Sequence, residues 1–283
     1  MSLTFTLPMR FHFLALALGM TTTAAATEPL NARAAFVERR ALLEADAQCR
    51  LFTPDIRSAL TVGVAQARGA LLRAGWTSAN MRSLESAAVS AARSRACNDQ
   101  RTAVAADDAR RAFSSWINVS AMEFPGWERS WRARRTSGEG WRLSQTIDAA
   151  TFGVRQRDEV QHLTLVVPVS PRAAPPATAQ LIMRNVARAG VREIPLTQRV
   201  SEGLAAGLPA PNGSVALPSA RTLERIDGRQ HAVFTFPDTA FRDLVALDPR
   251  ETVEIRLTTG RSVQRLLIEV GDIAAARAFL TIR

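Results

Sequence analysis

The sequence predicts an α+β protein: a disulfide-linked bundle of about four helices, followed by an antiparallel β-sandwich-like domain with two short helices. Three observations carry this. Residues 33–118 are Ala-rich with apolar residues at helical spacing, whereas beyond residue 141 the apolar residues alternate. The only two cysteines, Cys49 and Cys97, fall at the ends of two of the predicted helices. Apolar residues make up 47% and charged residues 22% of the 283, which is ordinary globular composition.

In chain order, the first 26 residues read as a secretory signal. Arg10 supplies the positive end, residues 11–20 form a short apolar core, and Ala24-Ala25-Ala26 forms a small-residue cleavage site. The core is shorter than the ~20 apolar residues of a membrane span. No later stretch approaches that length, and no Cys follows the core to accept a lipid. The expected mature chain starts at Thr27, is periplasmic or secreted, and does not span a membrane after cleavage.

The helical domain is expected over residues 27–118. Its first helix covers residues 34–49, with Phe36, Leu42 and Leu43 near helical spacing. Thr53-Pro54-Asp55 then supplies an N-cap, a first-turn proline and a negative charge at the positive helix end. The helix that follows places Ile56, Leu60, Val64, Ala67 and Leu71 on one face, and Gly75 stops it. Two more helices are expected over residues 78–96 and 100–116. In an up-down-up-down bundle the first and third helices run parallel, so Cys49 and Cys97 meet. Export makes an isolated cysteine pair a disulfide, which stabilises by roughly 3–4.5 kcal/mol in the chain-entropy model.

Residues 119–140 are expected to be a Trp/Arg-rich linker, broken by Pro125-Gly126 and loosened by Ser137-Gly138. Trp127 and Trp131 are four apart and would share one face of a helix, surrounded by Arg129, Arg132, Arg134 and Arg135. Such a cluster could stack on bases, sit on anionic lipid or grip a polymer. Equally, the rings could pack between the two domains while the arginines cover the edge. The packing reading is the favoured one, and it expects both rings to be largely buried.

The β-rich domain is expected over residues 141–283. Residues 142–147 and 163–169 alternate, and 179–184 and 192–196 are shorter strand candidates. Asp227-Gly228 and Thr259-Gly260 read as hairpin turns between flanking strands, although Arg229-Gln230 could lengthen the first. Short helices start near Asp238 and Asp272, each an acidic N-cap candidate.

Trp141-Arg142-Leu143-Ser144-Gln145-Thr146 opens this domain, and its later elements follow the order strand, short helix, two strands and the closing helix Asp272-Ile273-Ala274-Ala275-Ala276. This half of the chain resembles the invasion-associated locus B family, which are exported proteins of alphaproteobacteria. The resemblance implies an exported β-sandwich. The family has no established catalytic residues to carry over.

Composition excludes several chemistries. The 36 basic residues are all Arg, with no Lys and no Tyr. P-loop NTPases, protein kinases, pyridoxal enzymes and serine–lysine acyltransferases all need a lysine. No G-x-S-x-G nucleophile motif is present. The formal charge of +10 is spread evenly: residues 28–140 hold 17 Arg against 12 acidic residues, and residues 141–283 hold 18 against 14. With no dense basic block, nucleic acid is not the expected partner. His162 and His231 are lone histidines, and Asp158 and Glu159 near His162 match no zinc spacing. No metal and no cofactor is implied.

The expected function is a non-enzymatic binding or envelope-associated role, with an envelope protein or an anionic surface as partner. One alternative is an envelope hydrolase using Glu123, Glu128 or Glu139 as paired carboxylates. The other is a cationic surface protein that binds anionic polymer or lipid.

Overall fold

A computed structural model describes residues 29–187 and 213–282. The proposed signal segment and the strand candidate at 192–196 lie outside the described residues. Helices α1 (Pro29–Cys49), α2 (Pro54–Arg73), α3 (Ser78–Arg93) and α4 (Gln100–Ser114) form the N-terminal bundle, closed by a 3-10 turn over Ser115–Asn118. Local chemistry starts each helix after the first. The side chains of Thr53, Thr77 and Asp99 accept from the N–H groups of Ile56, Asn80 and Thr102, so each satisfies an orphan donor of the first turn. Between α1 and α2, the buried carboxylate of Asp46 accepts from the Phe52 N–H at 2.8 Å and pairs with Arg57. Cys49 and Cys97 form the expected disulfide, with their Cα atoms 5.5 Å apart.

Two antiparallel sheets follow. The larger has the order β1-β2-β3-β4-β5-β9-β8, and its strands are β1 (Ala121–Pro125), β2 (Ser130–Arg134), β3 (Gly140–Ile147), β4 (Ala150–Arg157), β5 (Val160–Pro168), β8 (Ala220–Ile226) and β9 (Arg229–Thr235). The smaller has the order β11-β10-β6-β7, built from β6 (Thr178–Arg184), β7 (Ser214–Pro218), β10 (Thr252–Thr259) and β11 (Ser262–Glu269). Two short helices, α5 (Asp238–Val245) and α6 (Ile273–Phe279), complete the described fold. The expected α+β class therefore holds.

The details differ from expectation where turns lack glycine. Asp227-Gly228 is a two-residue hairpin turn, since Ile226 pairs directly with Arg229. Asp158 and Glu159 make the same kind of turn without glycine, both at positive φ, and Arg157 pairs with Val160 across them. They are turn residues and not neighbours in a ligand set. Asp238 is the first residue of α5, whose N-cap is Pro237. Asp272 caps α6 in position, but its side chain makes no capping bond. It pairs instead with Arg73 of α2, 199 residues away.

The region expected as a Trp/Arg-rich linker is a hairpin at the edge of the larger sheet, not a helix. Phe124, Trp131 and Ala133 point inward, while Glu123, Arg132 and Arg134 point outward, a period of two. Pro125 is tolerated as the last residue of the edge strand β1, paired with Ser130, and the Gly126 N–H donates to the Arg129 carbonyl at 2.7 Å to close the turn.

One apolar core runs through both halves of the chain. It joins Leu60 and Phe113 of the bundle to Trp131, Phe152 and Leu165 of the larger sheet and to Leu181 and Ile255 of the smaller. Trp131, Phe152 and Phe236 form an aromatic series with centroids 6.2 and 6.0 Å apart. At the junction of the halves α2 meets α6, and Gly69 permits the approach. A Cβ there would lie 1.9 Å from Asp272 Oδ1. Burial raises the Asp272 carboxyl above the usual aspartate range, although the Arg73 guanidinium pulls it down.

Candidate functional site

The β1–β2 turn is organised by one residue from the far end of the chain. The Glu269 carboxylate accepts from the backbone N–H groups of Trp127 (2.6 Å), Glu128 (3.0 Å) and Arg129 (3.1 Å), with the Arg129 guanidinium 3.8 Å away. Three amide donors converging on one carboxylate form a backbone nest. Gly126 makes room, since a Cβ there would stand 2.4 Å from Glu269 Oε2. The backbone of Glu269 is clamped as well. Its N–H donates to Gln145 Oε1 (3.0 Å), and its carbonyl accepts from Gln145 Nε2 (3.1 Å) and from the Trp131 indole (3.0 Å).

This arrangement separates the two tryptophans expected to act together. Trp131 is fully buried, as the packing reading expects, whereas Trp127 is 65% exposed at the turn. The cause is the strand period: Trp131 lies on the inward face of β2, and the nest holds Trp127 outside the ladder.

The arginines also divide. Arg135 is a structural residue. Its guanidinium donates to the carbonyls of Trp116, Ile117, Val119 and Ile282 at 2.9 to 3.2 Å and lies 5.4 Å from the Phe279 ring centroid. It satisfies the carbonyls that end the 3-10 turn and ties them to the C-terminal segment. Arg132 and Arg134 are exposed and form no ion pair or side-chain hydrogen bond among the described residues.

Arg132 and Arg134 line a concavity of about 520 Å³ on the outer face of β1–β4, with Arg129 and the half-buried Trp141. The hydroxyls of Ser144, Thr146 and Thr151 complete its floor, and Glu123 is its one acidic member. Sheet register explains the grouping. Glu123 pairs with Arg132, Arg132 with Ser144, and Thr146 with Thr151. A β-bulge between Trp141 and Leu143 shifts the alternation by one residue, so Trp141 shares the face of Ser144 and Thr146 despite the odd spacing. Trp141 lines this concavity, whereas Arg142 lines a second of about 330 Å³ that also contains Arg134. Gly153, opposite Ser144, has φ +153 and accommodates the bulge, because a Cβ would meet the Leu143 carbonyl at 2.0 Å.

Glu123, Glu128 and Glu139 are all exposed, and only Glu123 lines this concavity. His162 Nδ1 stands 3.9 Å from Asp238 Oδ1, and His231 Nδ1 lies 3.0 Å from the Arg229 carbonyl. Among the described residues no three His, Cys, Asp or Glu side chains group as metal ligands, and no helix is long and apolar enough to cross a membrane.

No protein-family model, curated protein or solved structure matches the chain.

Sequence reasoning missed Glu269 and Gln145, which organise the turn, and the hydroxyl floor of Ser144, Thr146 and Thr151. The floor had a readable signal, since Leu143, Gln145 and Ile147 alternate with it. The Glu269 nest had none, because its partners lie 140 to 142 residues away.

Proposed function

We propose that this is an exported binding protein, periplasmic or secreted, that takes an anionic ligand on the outer face of β1–β4. The observation that carries the reading is the exposure of Arg132 and Arg134, which form no ion pair among the described residues, beside Trp141 in one concavity whose one acidic member is Glu123. Guanidinium groups offer paired donors to carboxylate, sulfate or phosphate, and an adjacent ring adds a stacking surface. The nest beneath Trp127 holds the hairpin rigid, which lowers the ordering cost of binding. Export rests on the Arg10 to Ala26 pattern and on the resemblance of residues 141–283 to an exported family. The Cys49–Cys97 disulfide suits the same oxidising compartment.

Charge-matched variants test the reading. Arg132→Ala/Arg134→Ala and Arg221→Ala/Arg225→Ala lower the net charge equally, and all four positions are exposed. On a carboxylate exchange matrix, the first variant should elute at clearly lower salt than the second. Coincident elution would mean that only the overall charge of +10 attracts anions.

A further inference from the structure

Resting on that anion-binding reading, we infer that the ligand is a linear acidic polysaccharide lying across two adjoining subsites that share Arg134. The first subsite is the 520 Å³ concavity with Arg132, and the second is the 330 Å³ concavity with Arg142. Arg134, the last residue of β2, lines both, where the outer face of the sheet gives way to the side that carries Arg135, Arg142 and Ile282. Arg132 and Arg134 are two positions apart on β2, or about 7 Å along the strand. That spacing suits successive anionic groups on one chain better than a single anion. In the second subsite Arg135 is committed to four backbone carbonyls. Arg142 donates its Nε to Gln156 Oε1 at 2.7 Å, and among the described residues its two terminal nitrogens have no partner.

The lining distinguishes a sugar chain from other polyanions. A pyranose presents an apolar C–H face, a belt of hydroxyls and, in a uronate or sulfated sugar, a charge. The first subsite supplies a counterpart for each: the Trp141 ring, the hydroxyls of Ser130, Ser144, Thr146 and Thr151, and the guanidinium groups. The second continues with Thr136, Ser137 and Gln161. A membrane surface fits poorly. Among the described residues the exposed large apolar side chains are Val104, Val160, Leu223 and Val263, each on a different element, and Trp127 in the β1–β2 turn, a scatter rather than one insertion edge. A single-stranded nucleic acid fits poorly as well, since successive bases need successive rings and the groove has only Trp141.

The test is calorimetric titration of the mature chain with oligogalacturonate and chondroitin sulfate ladders, from disaccharide to octasaccharide. Neutral malto-oligosaccharides, polyphosphate and phosphatidylglycerol vesicles serve as comparison ligands. Affinity for at least one acidic ladder should rise with length as the second subsite fills, and neutral sugars should not bind. Arg134→Ala should lower the affinity of the longer oligomers by at least about tenfold and flatten the length dependence. Arg221→Ala should leave both unchanged. An affinity independent of length, or equal losses in the two variants, would overturn the two-subsite assignment. Binding of polyphosphate or vesicles without either glycan ladder would overturn the glycan assignment and leave the anion-binding reading standing. Binding of none of these anions would overturn both.

Discussion

The indole N–H of Trp131 is shared between the backbone carbonyls of Glu269 (3.0 Å) and Val270 (2.9 Å), while the carboxylate of Glu269 caps the turn that carries Trp127. One residue of β11 thus fixes a buried ring and presents an exposed one. The pair of contacts makes the β1–β2 hairpin part of the core and a support for the outer face at once.

Trp131→Ala should cost about 3–5 kcal/mol of stability, because it empties a fully buried site and removes the hold on the Glu269 backbone. Trp127→Ala should change stability by less than about 0.5 kcal/mol. Chemical denaturation of both variants checks this. An unchanged midpoint for the Trp131 variant would contradict the packing described.

Glu269→Gln keeps the side-chain volume but removes the charge on which three amide donors converge. A loss of about 2–3 kcal/mol is expected, together with faster amide exchange at residues 127–129. Hydrogen exchange monitored by NMR reads the local effect directly.

The Arg73–Asp272 pair predicts a pH dependence of known sign. A carboxyl raised by burial holds its proton more tightly in the folded chain than in the unfolded one. Its contribution is complete below the ordinary aspartate value and is lost as pH rises through the raised one. The stability of the wild type relative to Asp272→Asn should therefore fall as pH rises above about 4. Parallel thermal melts at several pH values measure the difference, and a constant difference would contradict it.

Gly69→Ala probes the same junction from the helix side. The new Cβ would collide with Asp272 Oδ1 at 1.9 Å, so the carboxylate must shift off Arg73. Overpacking of this kind should cost about 1–3 kcal/mol. Residues 141–283 expressed alone should aggregate, although the change of period near residue 141 reads as a domain boundary. That cut strips β3 of its partner β2, takes Trp131 and Phe124 from the core and uncovers the α6 surface that meets α2. A soluble fragment with a native β spectrum would contradict the shared core.

Much of the bundle was legible in the sequence because its signals are local. Thr53-Pro54-Asp55 starts α2 as expected, and Cys49 at the end of α1 meets Cys97, although α3 stops at Arg93 and Cys97 lies in the loop that follows it. The Asp227-Gly228 hairpin was legible for the same reason. The β4 strand was not, since Asp148-Ala149 and Asp158-Glu159 turn the chain without glycine or proline. Trp127 and Trp131 misled because a spacing of four fits a helix, while the strand that carries Trp131 spans only five residues. The site was half legible. Arg132 and Arg134 were in view, but their separation from Arg135 depends on carbonyls brought together only by folding.

Amide chemical-shift mapping during titration with an oligogalacturonate or chondroitin sulfate hexasaccharide locates the ligand relative to the outer face of β1–β4. Perturbations should concentrate at residues 129–134, 141–146 and 151 and extend to 136–137, with little change on α3 or β8. Shifts confined to the helical bundle or to β8, or scattered over every exposed arginine, would contradict binding on that face.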